Sequence, residues 1–153
     1  MLCFFIGHRN ATTQLMPRLE SAIKKHICDY NVTDFVVGQY GAFHRMAARA
    51  VINAKKIYPG ISLSILLPYH PAERKVYAPE GYDSTFYPPG MENVPHRFAI
   101  SRANKYMIMH CDYLMAYAWQ PGSNSKHLVE FARRHNIITT QLAKEQELLN
   151  AKA

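Results

Sequence analysis

Three short segments concentrate the residue types that hold anionic small molecules: Gly7-His8-Arg9, Gly38-Gln39-Tyr40-Gly41-Ala42 and Gly122-Ser123-Asn124-Ser125. Glycine lets a backbone approach a ligand closely, and a helix that follows such a turn presents free N–H groups and the positive end of its dipole. Arg9 can fork onto a phosphate. His8 has two readings: a group beside the ligand, or a side chain that bonds to backbone and orders its own turn. Trp119 leads directly into the third segment and is placed near it, where an indole can stack on a purine. The tyrosines Tyr69, Tyr77, Tyr82 and Tyr87 can stack in the same way or pack in the core. Other chemistries lack their residues. His70, His96, His110 and His127 show no HExxH or Cys/His spacing, so no metal is expected, and there is no Gly-x-Ser-x-Gly elbow or Ser-His-Asp order for acyl transfer. Cys3, Cys28 and Cys111 form no CxxC pair and read as buried or half-buried thiols.

The elements that must position these turns follow from hydrophobic periodicity. Residues 2–6 are an apolar run ended by Gly7, and Leu15, Leu19, Ala22, Ile23, His26 and Ile27 then recur at helical spacing. Thr12 or Thr13 is the expected cap of that helix, with Pro17 in its first turn. Asp34–Val37 is a second strand, and Phe43, Met46, Ala47, Ala50, Val51 and Ala54 mark one face of a second helix. The near-continuous apolar run Ile61–Leu67 predicts a third strand buried on both sides, as in a parallel sheet. Residues 69–95 break the rhythm with prolines and aromatics and are read as a lid holding a short strand near Ser84–Tyr87. Then come a helix near 96–110, a strand near 112–119, a helix near 126–135, a strand at 137–140 and a polar helical tail. The alternation predicts an α/β fold: a Rossmann-like three-layer α/β/α sandwich with a mostly parallel sheet, one domain over 1–142 and a tail over 143–153. The three turns then share one sheet edge.

Cys3-Phe4-Phe5-Ile6-Gly7-His8-Arg9 followed by Val37-Gly38-Gln39-Tyr40-Gly41-Ala42-Phe43-His44-Arg45 resembles the SLOG superfamily. The nearest likeness is to a bacterial branch of unassigned activity whose members open with a Phe-x-Gly-His-Arg strand, and it extends over roughly residues 2–140, through Arg102-Ala103-Asn104-Lys105 and Glu130-Phe131-Ala132. The superfamily includes the Lonely-guy phosphoribohydrolases, the single-strand-binding DNA-processing protein A and many domains thought to sense nucleotides. The resemblance thus implies a Rossmann-like fold and a nucleotide or nucleotide-derived ligand: a nucleoside phosphate, ADP-ribose or a dinucleotide such as NAD. It leaves catalysis open. The Lonely-guy signature, Pro-Gly-Gly-x-Gly-Thr-x-x-Glu, corresponds here to Pro121-Gly122-Ser123-Asn124-Ser125-Lys126-His127-Leu128-Val129-Glu130, with two glycines and the threonine replaced and Glu130 one residue late. That slip turns a helical side chain by about 100°. If base release occurs, Arg102 for the phosphate and Glu130 for the oxocarbenium-like transition state are the catalytic pair to nominate; otherwise Glu130 is a solvated helix residue. In the second turn His44 stands where relatives carry aspartate, and Gln39 where glycine is common.

The chain has 153 residues, 48% hydrophobic, enough for one core, and no apolar run approaches the roughly 20 residues that span a bilayer. Without a basic n-region or cleavage site after Met1, a cytoplasmic protein with no membrane partner is expected. The formal charge of +7 favours anionic partners. The main expectation is a domain that binds or senses a nucleotide-type ligand at the carboxyl edge of the sheet through Gly7, His8, Arg9, Gly38, Gln39, Tyr40, Gly41, Trp119, Gly122, Ser123, Asn124 and Ser125. No cofactor is assigned. The alternatives are a divergent nucleotide N-glycosidase and a protein that binds single-stranded nucleic acid, the last suggested by charge and the aromatic-rich loop. A homodimer through Met107, Ile108 and Met109 is the expected assembly.

Overall fold

Cys3, Phe4, Phe5 and Ile6 are all buried, and they alternate between two cores. Successive strand side chains point to opposite faces, so four consecutive buried residues require cover on both sides of the strand. In the computed structural model, which describes residues 1–150, this strand is β1 (Leu2–Gly7) at the centre of a six-stranded sheet. Cys3 and Phe5 face α1 (Met16–Tyr30) and α2 (Ala42–Lys55), joining Leu19, Ile23, Phe43, Ala47 and Val51. Phe4 and Ile6 face α3 (Ala99–His110) and α4 (Asn124–Arg134), joining Ala103, Met107, Leu128 and Ala132.

The remaining strands are β2 (Asp34–Val37), β3 (Ser62–Leu66), β4 (Ser84–Phe86), β5 (Tyr113–Tyr117) and β6 (Ile138–Gln141). All pairings are parallel, in the order β4-β3-β2-β1-β5-β6. From β1 the chain first winds outward through β2, β3 and β4, then crosses back to place β5 on the other side of β1. The direction of winding reverses between β1 and β5, which in open α/β sheets opens a crevice at the carboxyl ends.

Several local expectations are adjusted. α1 has Pro17 in its first turn as predicted, but neither Thr12 nor Thr13 caps it with a side-chain hydrogen bond; a single helical turn at Thr13–Leu15 leads into it instead. The predicted helix near 96–110 divides into a turn at His96–Phe98 and α3. Met107 and Ile108 are buried on the sheet-facing side of α3, and only Met109 of that trio is exposed, so the expected dimer contact loses its two central residues to the core. Cys28 is exposed rather than half-buried, while burial raises the Cys3 thiol and pushes Cys111 up to about 12, leaving both protonated at neutral pH. The polar tail forms α5 (Glu145–Asn150), tied down by Glu147, which pairs with Arg18 at 3.3 Å and accepts from the Tyr117 hydroxyl. Residues 151–153 of that expected tail lie outside the described residues. No helix among the described residues is long and apolar enough to cross a membrane.

Candidate functional site

A cleft of about 320 Å³ opens at the carboxyl ends of β1 and β2, beside the turn that follows β5. The turn after β1 supplies Gly7, His8, Arg9 and Asn10, and the turn after β2 supplies Gly38, Gln39 and Tyr40. The third turn and the start of α4 supply Gln120, Ser123, Asn124 and Ser125. Ile100 and Asn104, one helical turn apart on α3, close the far side. No carboxylate stands among the described wall residues, and no group of three or more His, Cys, Asp or Glu able to hold a metal ion occurs among the described residues.

Each turn is built by contacts that local spacing does not announce. A Cβ on Gly7 would lie within 2.6 Å of three atoms of the buried Phe43 ring, so glycine is required there by packing. At Gly41 φ is +93°, and a Cβ would approach the Arg9 Cα to 3.0 Å; the Ala42 N–H donates to the Arg9 carbonyl at 2.9 Å. The first two turns are thereby locked together with Arg9 exposed at their junction. The Ser125 hydroxyl donates to the Gly7 carbonyl at 3.0 Å and binds the third turn to the first.

His8 is 4% exposed, and its Nε2 accepts from the Trp119 N–H at 2.9 Å and the Gln120 N–H at 3.2 Å. Accepting twice at Nε2 places the proton on Nδ1, and burial holds the imidazole below its ordinary pKa, with the Glu147 charge working weakly against it. Of the two readings of His8, the one in which it orders the backbone is the one the geometry supplies, although the chain it orders is the distant turn after β5. Replacing His8 with alanine leaves two N–H groups without an acceptor and opens a cavity, so a loss of about 2–4 kcal/mol is expected. Urea unfolding at pH 7 measures it, and a loss under 1 kcal/mol would show that other acceptors take over.

His44 is half-buried in the first turn of α2, and its Nδ1 accepts from the Gly38 N–H at 3.0 Å. Burial pushes this imidazole down to about 4, so it is neutral at pH 7 with its proton on Nε2. The Gly38 N–H is therefore committed to His44 and unavailable to an anion. The α4 end differs. The Ser123 hydroxyl caps α4 by accepting from the Lys126 N–H at 3.2 Å, and its carbonyl accepts from the His127 N–H at 3.1 Å. The Asn124 and Ser125 N–H groups, first in the helix, have no intrahelical partner. They sit on the cleft wall at the positive end of α4, with Arg9 across the opening.

Nine of the expected ligand-binding residues line this cleft: Gly7, His8, Arg9, Gly38, Gln39, Tyr40, Ser123, Asn124 and Ser125. Gly41, Gly122 and Trp119 shape the turns but are not among the walls; the Trp119 ring packs edge-on against His8, with its Nε1 buried and without a hydrogen-bond partner among the described residues. Arg102 and Glu130 are not brought together at the cleft. Ile100 and Asn104 face it, and Arg102, two residues from each, is turned about 200° away and exposed. Glu130 has the same offset from the cleft-facing Leu128 and lies outside beside His127, 4.0 Å away. Asn10, Ile100, Asn104 and Gln120 are wall residues that sequence reasoning did not single out; the four-residue spacing of Ile100 and Asn104 was the available signal. Residues 69–95, expected as a lid, contribute no wall to the cleft.

These features define a doubly wound Rossmann-like α/β domain with its crevice at the winding reversal. A scan against protein-family models finds no match, and a search of curated proteins finds none. Among solved structures the chain is similar to DNA processing protein A (DprA) from Streptococcus pneumoniae, with a TM-score of 0.64 and 16% identity over 91% of this chain and 49% of that one. It is also similar to DNA processing protein A from Helicobacter pylori, reported for its single-stranded DNA binding mode, with a TM-score of 0.64 and 15% identity over 99% of this chain and 73% of that one. The chain spans about half the length of the first of these proteins. At such identity the likeness is one of fold, and the expected Rossmann-like architecture is borne out.

Proposed function

We propose that this chain binds single-stranded nucleic acid along the carboxyl edge of its sheet, seating a backbone phosphate in the cleft between Arg9 and the start of α4. The observation that carries the reading is the composition of the walls: an exposed arginine, two N–H groups without intrahelical partners, and the amides of Asn10, Asn104 and Gln120, with no carboxylate among the described wall residues. Anions are favoured there by charge, dipole and hydrogen bonding together. Arg45 and Arg49, one turn apart on α2 and exposed, continue the positive surface beyond Arg9, and the net charge of +7 supports a polyanionic partner. The fold likeness to DNA processing protein A from Helicobacter pylori, known for its single-stranded DNA binding mode, favours a strand over a free nucleotide.

A free nucleotide, ADP-ribose or NAD-like ligand is the second reading, favoured by the cleft volume, which falls at the small end of the range for small-molecule sites. An N-glycosidase gains no support from a cleft whose walls lack a carboxylate. Placement in the SLOG superfamily, in the bacterial branch with a Gly-His-Arg opening, rests on the Gly7–Arg9 and Val37–Arg45 motifs; a cytoplasmic location is part of the same proposal, and a homodimer would need a face other than the buried Met107 and Ile108.

Fluorescence anisotropy with a labelled 12-mer of thymidylate tests the main reading. Affinity should fall with salt, with a logarithmic slope of roughly −0.7 for each phosphate contacted. Arg9→Ala should weaken binding about tenfold and flatten that slope by roughly 0.7. Absence of binding at low salt, with AMP or ADP-ribose raising the melting temperature instead, would replace this reading with the second.

A further inference from the structure

The crevice continues past the turn after β2. On the other side of Gly38, Gln39 and the His44 ring lies a second cavity, of about 270 Å³, between the end of β3 and residues 76–82. These three residues line both cavities, so the two are separated by a single shared wall. The walls belonging to the second alone are Arg45 and the apolar or aromatic Ile65, Val76, Tyr77, Pro79 and Tyr82. Two features here do nothing for the fold. Tyr77 is 80% exposed, its ring facing the Lys75 ammonium at 5.8 Å from the centroid. His44 must carry its proton on Nε2, because Nδ1 accepts from Gly38, and among the described residues Nε2 has no partner.

We infer that this second cavity receives a nucleobase of the strand whose phosphate occupies the neighbouring cleft. The inference rests on the single-strand reading and adds the recognition of a base to it. A nucleotide unit joins an anionic group to a flat, apolar-faced ring with acceptor atoms on its edge, and the paired cavities present these complements in the same order. Arg9 and the α4 start meet the phosphate. The aliphatic walls and the Tyr77 and Tyr82 rings meet the base faces, and the Nε2–H of His44, in the shared wall, donates to an acceptor on the base edge. Because every base has a π-face, this site tolerates all four. The segment 69–95 then acts as the side of a base pocket rather than as a cover for the phosphate.

The test compares the thymidylate 12-mer with an abasic 12-mer of equal charge, on the unaltered protein and on Tyr77→Ala and Tyr77→Phe. Tyr77 is exposed, so its replacement leaves the core intact. The abasic strand should bind roughly tenfold more weakly than thymidylate to the unaltered protein. Tyr77→Ala should lose about the same factor on thymidylate and little on the abasic strand, while Tyr77→Phe stays within about twofold. Equal affinity for both strands and no effect of Tyr77→Ala, with the salt slope retained, would overturn the base pocket and leave the phosphate reading standing. Failure of every strand to bind the unaltered protein would overturn both.

Discussion

Gly7→Ala is expected to lower the stability of this protein by about 3 kcal/mol or more, and its melting temperature by about 6–12 °C. The added methyl would fall within 2.6 Å of three atoms of the Phe43 ring, far inside van der Waals contact. Phe43 is fully buried, stacks near Tyr117 and tilts against Phe5, so it has no empty space into which to retreat. Relief requires backbone movement at the end of β1, where the Gly7 carbonyl also accepts from Ser125, and such movement disturbs the cleft. Thermal unfolding measures the effect, and a double variant identifies its cause. Gly7→Ala combined with Phe43→Leu should lose clearly less than the two single losses together, because the smaller side chain vacates part of the contested volume. Additive losses would place the strain elsewhere in the turn.

Acidification from pH 7 to pH 4 should remove several kcal/mol of stability, about 3 of them through His44 alone. In the unfolded chain a histidine titrates near 6.5; in the folded protein burial holds His44 at about 4. Between these values the unfolded chain binds a proton that the native state refuses. The stabilisation is therefore complete above pH 6.5 and is lost as pH falls toward 4, by about 1.4 kcal/mol per unit. His8 and His26 act in the same direction. Both are held below their ordinary values chiefly by burial, and each uses its neutral form as an acceptor, His8 toward the Trp119 and Gln120 N–H groups and His26 toward the Thr140 hydroxyl. Asp83, held down by the Lys55 ammonium at 2.6 Å and the Leu63 N–H, adds a loss of the same sign at still lower pH. Urea titrations at half-unit intervals measure the slope. His44→Asn, whose amide oxygen takes the position of Nδ1 and can still accept the Gly38 N–H, should flatten it by about one proton; an unchanged slope would mean that His44 titrates normally in the folded state.

The elements were largely legible in the residues. The stripe Phe43, Met46, Ala47, Ala50, Val51 and Ala54 predicts a helix, and α2 runs Ala42–Lys55 with Phe43, Ala47, Ala50 and Val51 buried. Ile61–Leu67 predicts a strand buried on both faces; Ser62–Leu66 is a strand, paired in parallel on each side, with Leu63, Ile65 and Leu66 buried but Ser62 and Ser64 only half-buried. Even the short strand in the irregular segment is found, at Ser84–Phe86. The candidate site was legible only as three turns. Their convergence followed from the alternation of elements, but the role of each residue did not: Gly7 serves Phe43, Gly38 gives its N–H to His44, and Arg102 and Glu130 turn away from the cleft.

Sequence alone determined the alternation of strands and helices, the parallel character of the sheet and the edge on which the turns meet. Apolar periods of two and 3.6 residues are local, and a strand buried on both faces leaves few ways to cover it. Tertiary structure alone decided which donors remain free for a ligand, which way α3 and α4 present their side chains, and that a second cavity adjoins the first. His8 bonds to N–H groups 111 and 112 residues away, and the Phe43 ring closes over Gly7 from another element. Partners of that kind are chosen by the packing of whole elements against one another, and residue spacing carries no record of them.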